Sequence, residues 1–501
     1  MLQAIMLAEG FEEYAAVAQQ VNHMIGALRS PETRKLQHGD VEKLIAENGN
    51  ELCRRFLQAH FDSLEREEPM HDAVTGMDGL ERNHRKEGCA RDLMSLFGEV
   101  EVKRIGYGKY GGQNLFPLDA QLNLPPNKYS HGLQRVVAEE SAKISFDEAI
   151  ASVSRTTGGK VPKRQAEEIV VNVAQDFEAF YENRRLETIE KTKDPLILTL
   201  DAKGIVMRQE GLREATRKAA ENEQHKLKTR LSRGEKRNRK RMATVAAVYS
   251  IEKHVRSAEE IMKVEEGAPA KTRPRARNKR VWASVSRDAE VVTDELFQEA
   301  LRRDPKQRRQ WAVLIDGQPK QLQNILERIE AYDAARTVLI LDFIHVLEYL
   351  WKAAYAFHAE GSEGAEGWVQ QRALLILKGK SSDVAAGMRR SATLRDLSSK
   401  EREPVDTCAD YLLKYRELLR YDEFLKQGLP IATGVIEGAC RHLIKDRMDI
   451  TGARWMVDRA EAILKLRSLR SSGDFSEYLA FHQAKELQRN HLARYHRSPC
   501  N

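Results

Sequence analysis

Residues 194–208 read DPLILTLDAKGIVMR. Leu196 to Leu200 is a continuous apolar run of the kind a buried strand needs, and it stops at Asp201. Lys203-Gly204 then reads as a turn, and Ile205 to Arg208 as a second strand. An acid that ends an apolar strand is costly to bury without a partner. Asp201 is therefore the first candidate for a functional side chain.

The pattern continues downstream. MATVAAVYSIEKH (242–254) reads as a third strand, and a helix follows from about 287 to 303. QWAVLIDG (310–317) is a fourth strand ending at Asp316, and QPKQLQNILERIEAY (318–332) is a helix. RTVLILDFIH (336–345) is a fifth strand ending at Asp342, with His345 three residues on. The order is β-β-β-α-β-α-β. From 346 to about 430 the chain reads almost wholly as helix. A helix containing Glu437 comes next, then one from about 456 to 470, then a polar tail.

Upstream, residues 1 to about 95 read as helices, and FGEVEVKRIGYGKYGG (97–112) as a short strand or hairpin. NLFPLDAQLNLPPNKYSHG (114–132) is an ordered connector rich in Pro and Asn. In residues 145–181 two helices flank a Gly-Gly turn, and Ser145 with Glu148 forms a capping-box signal. Lys163, Arg164 and Gln165 fall on the first turn of the second helix, as in a helix-turn-helix that contacts DNA. An ordinary helical hairpin with a solvated basic end fits the same spacing.

At 501 residues, about two to four domains are expected. Charged residues make up 31% of the chain, which exceeds the usual share, and the net charge of +7 is unevenly spread. Five scattered cysteines without a CxxC pair argue against a cysteine zinc site and suit a reducing cytoplasm. The acidic N-terminal stretch does not read as a signal peptide, and no apolar run reaches membrane-spanning length. The expectation is an intracellular, multidomain protein.

Parallel strands end at a common edge, where ligand chemistry collects. Asp201 and Asp316 at neighbouring strand ends repel unless a cation lies between them, and hard divalent metals with oxygen ligands meet that need. With Glu437 as a third carboxylate, two Mg²⁺ ions about 3.5–4 Å apart can be held for work on a phosphodiester. In ATGVIEGACRHLIKDRMDITGARW (432–455), Gly434 and Gly438 let a phosphate backbone approach. On α-helical spacing, Arg441 and Lys445 lie one and two turns beyond Glu437 on nearly the same face, placed to neutralise phosphates. Each acid also has a plainer reading. Glu437 with Arg441 fits an i,i+4 surface pair, Asp316-Gly317 a strand-to-helix turn, and Asp201 a tight turn between strands. Asp342 competes with Asp316 as second ligand, and His345 also fits a core histidine bonded to Asp342.

The motifs LFPLDAQLNLPPNKYSHGL, LTLDAKGIVMR, RMATVAAVYSI, LILDFIHVLEYLWKAAYAFH, CADYLL, LPIATGVIEGACRHLIKDRMDITGARW and LRSLRSSGDF resemble the ISKra-type family of bacterial insertion-sequence transposases. The resemblance runs from about residue 96 to 485. It implies an RNase H-like DDE transposase, related to mutator-like and hAT-like enzymes, with a mixed β-sheet catalytic domain and an all-helical insertion. It implies an Asp-Asp-Glu triad at Asp201, Asp316 and Glu437 holding two Mg²⁺ or Mn²⁺ ions, with Asp342 and His345 as a near-site pair. The implied partners are double-stranded DNA, as terminal inverted repeats and as target, and a second copy of the chain or more. The implied setting is the bacterial cytoplasm, at the nucleoid.

The organisation expected is an N-terminal helical region (1–95), a hairpin and helix-turn-helix-like region (96–188), a first part of the catalytic core (189–345), the helical insertion (346–430) and a completion of the core (431–501). Two basic stretches, 226–241 and 271–280, emerge from the proposed sheet. Arg237, Arg239, Lys240, Arg241, Arg273, Arg275 and Arg277 are the candidate phosphate contacts there. Trp351, Tyr355 and Phe357 share a helix and read first as core, then as a stacking surface for an extruded base. A nuclease without strand transfer, a non-catalytic DNA-binding protein of the same fold and a structural scaffold are the rival functions.

Overall fold

The computed structural model describes residues 12–184, 192–222, 227, 231–232, 237–262, 274–450 and 452–496. The chain divides into two compact units, one of residues 1–183 with 474–501 and one of residues 184–473. Among the described residues no helix is long and apolar enough to cross a membrane.

The first unit opens with helices α1 (Ala15–Arg29) and α2 (His38–Glu67). Strands β1 (His84–Ser95) and β2 (Gly98–Gly108) then form an antiparallel hairpin. Helices α3 (His131–Lys143), α4 (Phe146–Thr156), α5 (Lys163–Val173) and α6 (Phe177–Asn183) follow. The helical expectation for 1–95 thus fails from residue 68 onward, where short strands at Val74–Thr75 and Glu81–Arg82 precede β1. HRKEGCARDLMS shows no apolar alternation until Leu93, because the outer half of β1 is mostly exposed. Gly88, at φ +62°, lies where the register shifts between Lys86 and Cys89, and only the unbroken partner β2 carries a readable strand signal.

The capping box at Ser145 forms as expected, with Glu148 reaching back to the Ser145 backbone. Gly158 of the Gly-Gly turn donates its N–H to the Leu96 carbonyl at 2.7 Å. A Cβ there would lie 2.3 Å from the Phe97 carbonyl oxygen and 2.4 Å from Asn50 Nδ2. Gly158→Ala therefore forces backbone to move, and the expected loss is about 1–3 kcal/mol in denaturant unfolding of the full chain.

The second unit is built on strands β3 (Leu196–Val206), β4 (Lys240–Ser250) and β5 (Arg277–Ser284), helix α7 (Ala289–Arg303), strand β6 (Trp311–Ile315), helix α8 (Pro319–Ala331) and strand β7 (Val338–Leu341). The sheet order is β5-β4-β3-β6-β7. The β3–β4 and β4–β5 pairs are antiparallel, and β3–β6 and β6–β7 are parallel. Leu196, Ile197, Leu198 and Thr199 are all fully buried, so successive side chains on both faces of β3 are covered. Each large aliphatic side chain so buried contributes about 1.5–3 kcal/mol.

Five strands are present as expected, but two are assigned differently. Residues 194–208 hold one strand rather than two. Its pairing with β4 is unbroken from Leu196↔Ser250 to Val206↔Lys240. Gly204 is no turn residue; a Cβ there would meet the Lys240 side chain at 2.8 Å, so the glycine makes room for the neighbouring strand. The strand missing from the sequence reading is β5, which begins inside the second basic stretch. Its first residues are charged, and its apolar part, Val281 to Ala283, is short.

Beyond β7 the chain is helical: α9 (Phe343–Ala354), α10 (Glu363–Leu377), α11 (Ser381–Leu394), α12 (Ser399–Lys414) and α13 (Tyr421–Lys426). Helix α14 (Gly434–Cys440) runs directly into a π-helical segment, Arg441–Lys445. Helix α15 (Val457–Ser472) packs on β5. Its Glu461 carboxylate accepts from Ser284 Oγ at 2.9 Å and from the N–H groups of Val285 and Ser286 at 2.8 and 3.0 Å, closing the end of that strand. The expected polar tail is instead helix α16 (Phe475–Asn490), which belongs to the first unit.

Candidate functional site

The register of the parallel strands sets out the acids. The β3–β6 ladder ends at Thr199↔Leu314, and Asp201 and Asp316 each lie two residues beyond that pair. The β6–β7 ladder ends at Ile315↔Leu341, and one residue further Asp316 stands against Asp342. Neighbouring strands are about 4.8 Å apart, so the three acids form a row along one sheet edge.

Their surroundings differ. Asp201 is half-buried. Its Oδ1 accepts from the Ala202 N–H at 2.6 Å. Its Oδ2 meets Lys203 Nζ at 3.0 Å and accepts from Cys440 Sγ at 3.1 Å. Burial pushes the Cys440 thiol up, and the Asp201 carboxylate adds to the rise, so the thiol stays a neutral donor. Burial pulls the Lys203 amine down, but the bond to Asp201 and the charges of Asp201 and Glu437 outweigh it, and the net direction is up. Glu437 is exposed on α14, one turn before Cys440. That spacing puts both residues on the helix side that faces β3.

Asp316 lies on a tight turn ahead of α8, its Oδ1 accepting from the Gln318 N–H at 2.9 Å. Gly317 takes φ +87°, a conformation that favours glycine. Two hydroxyls from α12 and its C-terminal end hold this turn: Tyr411 donates to the Asp316 carbonyl at 3.1 Å and Tyr415 to the Gly317 carbonyl at 2.5 Å.

Asp342 is fully buried and is occupied as a tie. Its Oδ2 accepts from Thr433 Oγ1 at 2.6 Å, and its Oδ1 from the N–H groups of Ile344 at 3.1 Å and Thr433 at 3.3 Å. Burial pushes its carboxyl up, and the Thr433 bond works against that rise. The acid thus fastens the end of β7 to the residue before α14. His345 Nε2 lies 3.9 Å from Asp342 Oδ2 and its Nδ1 3.7 Å from Glu348, beyond hydrogen-bond range in both cases. Thr433→Val removes the shortest donor to a buried carboxylate, and urea unfolding is expected to show a loss of about 1.5–3 kcal/mol.

The π segment corrects the expected placement of Lys445, while Arg441 keeps its place one turn beyond Glu437, its N–H bonded to the Glu437 carbonyl. A π turn takes more residues than an α turn, so Lys445 does not follow Glu437 at α-helical spacing. Arg467 of α15 donates to the carbonyls of His442 and Leu443, the latter at 3.1 Å, which supports the widened turn. Burial pulls its guanidinium down to about 10. Arg441 and Lys445 are both exposed, and Arg441 Nε is 3.6 Å from Asp446.

The other basic candidates divide. Arg237, Arg239, Lys240 and Arg275 are exposed. Arg241 is instead a structural residue, donating to the carbonyls of Val285 at 2.7 Å, Ser286 at 3.1 Å and Gly211 at 3.3 Å. Arg277 pairs with Asp194 at 2.5 Å and Glu252 at 3.0 Å. Arg273 lies outside the described residues. In the first unit, Lys163 meets Asp147 at 2.6 Å, while Arg164 and Gln165 both reach Glu168, at 3.3 and 2.9 Å.

Among the described residues, one group of three ligand-type side chains has its donor atoms within 4.8 Å of one another: Asp176, His482 and Glu486, all buried. This group could hold a metal ion. Asp201, Asp316 and Glu437 do not form so close a set. At Asp176, however, protein partners already occupy both carboxylate oxygens. His482 Nδ1 is 2.7 Å from its Oδ2, and Arg489 donates to both oxygens at 3.1 and 2.9 Å. Burial would raise the Asp176 carboxyl, but these bonds hold it down to about 2. The sequence hides this group because 475–490 reads as polar. Phe475, Tyr478, Leu479 and His482 at three- and four-residue steps, with Glu486 one turn on, are the signal that reveals it.

No protein-family model matches the chain, and a search of curated proteins finds none that matches it.

Proposed function

We propose that the chain is an RNase H-like DDE transposase of the ISKra type. It would bind the terminal inverted repeats of an insertion sequence, cleave phosphodiester bonds and transfer the resulting 3′-hydroxyl ends to target DNA. The observation that carries this reading is the parallel β3–β6 register, which places Asp201 and Asp316 at the same level beyond its last pair, with Glu437 on α14 acting on the charge of Lys203 beside Asp201. The sheet supports it: three antiparallel strands in sequence, then two parallel ones on the other side of the first, with a long helical stretch before the third acid.

An all-carboxylate donor set suits a hard divalent cation, and an ammonium already lies against Asp201, so Asp201, Asp316 and Glu437 are the residues that would hold Mg²⁺ or Mn²⁺. Two such ions would activate the attacking water or 3′-hydroxyl and stabilise the departing oxygen. The chain's own part is to position. Tyr411 and Tyr415 fix the Asp316 turn, Cys440 orients the Asp201 carboxylate, and Asp342 with Thr433 sets where α14 begins. Exposed Arg441, Lys445, Arg237, Arg239, Lys240 and Arg275 would meet phosphates without reading sequence. End recognition would fall to the first unit, through Lys163, Arg164 and Gln165 on α5. Joining two ends calls for at least a homodimer on DNA, in the cytoplasm at the nucleoid.

The test is a strand-transfer reaction with purified protein, pre-cut element ends, a target plasmid and Mg²⁺. Joined product is expected. Cleavage of uncut ends without any joining would favour a nuclease that lacks strand transfer, and DNA binding without either reaction would favour a non-catalytic binder.

A further inference from the structure

We infer that the Lys203 ammonium is a built-in counter-ion, which occupies a cation's place against Asp201 until a divalent ion displaces it, so that this side chain gates metal loading. The inference rests on the metal-binding reading of the three carboxylates.

Lys203 lies two residues after Asp201 on one strand, so both side chains leave the same face of β3. The backbone between them is fixed by pairing with β4, Asp201↔Val245 and Lys203↔Ala243. Only the four-carbon stem can move. Its head lies 3.0 Å from Asp201 Oδ2, and Glu437 is close enough to act on its charge. The same oxygen receives the Cys440 thiol at 3.1 Å, while Oδ1 is taken by the Ala202 N–H. A cation binding through Oδ2 therefore has to replace the ammonium there.

Two features suit a displaceable occupant rather than a permanent lock. The Lys203 side chain is 40% exposed, so its head can withdraw into water. An ion pair this exposed is held only weakly. The buried Asp342, by contrast, is held by hydrogen bonds to Thr433 and Ile344, and among the described residues no lysine pairs with it.

The experiment follows Mn²⁺ binding to the full chain by electron paramagnetic resonance of the unbound ion. Wild type, Lys203→Met, Lys203→Gln, Lys203→Arg and Asp201→Asn are compared, and binding that survives Asp201→Asn is subtracted as belonging to other sites. Lys203→Met and Lys203→Gln are expected to tighten the Asp201-dependent binding by about three- to tenfold, with Lys203→Arg near wild type. Mn²⁺ should also raise the melting temperature of Lys203→Met more than that of wild type. If both neutral variants fold and bind Mn²⁺ no more tightly than wild type, while Asp201→Asn removes the binding, Lys203 is only a strand-face partner and the inference is overturned. If Asp201→Asn leaves Mn²⁺ binding unchanged, the carboxylate reading fails and the inference falls with it.

Discussion

Glu437→Gln, Asp201→Asn and Asp316→Asn are each expected to lower DNA cleavage and strand transfer by more than about 100-fold, the upper end of what losing even an outer-shell partner of a metal ligand costs. Each change keeps side-chain size and removes one negative charge from the proposed metal-binding set. DNA affinity should stay close to wild type, because the phosphate-facing residues are untouched. Gel shifts at fixed salt, run beside the reaction assay, separate the two effects. The result should differ for Asp342→Asn, since that acid is fully buried and committed to Thr433. Its loss should lower stability and activity together, and a melting curve would show the difference.

The largest expected stability effect lies away from the acids. Glu299 of α7 is buried with a cluster of guanidinium groups. Its oxygens meet Arg280 of β5 at 2.5 Å and Arg303 at 2.8 Å, with Arg302 also bonded. Burial would raise its carboxyl, but the three arginines hold it down to about 2, from the ordinary 4.5. Glu299→Gln leaves Arg280 and Arg303 buried without their counter-charge. Breaking such a set costs about 3–5 kcal/mol, which denaturant unfolding at neutral pH would read directly. A depressed carboxyl contributes stability above its unfolded value and loses it as pH falls through its folded value. The Glu299 contribution is therefore complete above about 4.5 and fades as pH falls from there toward about 2. Acid unfolding of the wild type should include this loss, and the Glu299→Gln protein should lack it.

The legible parts of the fold are those with a single strong pattern. The buried strands at 242–250, 311–315 and 338–341 stand out because their apolar runs are bounded by acids, glycine or charge. The same signal marks Asp316 and Asp342. Helix α7 and the helices after β7 are equally plain from their three- and four-residue steps. What stays hidden depends on partners far along the chain. Residues 201–204 look like a turn because Lys-Gly usually is one, yet pairing with β4 keeps them extended. The start of β5 looks like solvated charge because its arginines are neutralised by Asp194, Glu252 and Glu299, all distant in sequence. The π turn after Cys440 depends on Arg467, more than twenty residues away, and no local pattern announces it. Likewise, whether Asp342 is a ligand or a tie is decided by Thr433, which the spacing around DFIH does not reveal.

The most direct test is a crystal of the full chain soaked in Mn²⁺ and measured for anomalous scattering. Expected is a peak bounded by the carboxylates of Asp201, Asp316 and Glu437, with the Lys203 ammonium turned away from Asp201. Anomalous density at Asp176, His482 and Glu486 alone, with those three carboxylates bare at saturating Mn²⁺, would contradict it.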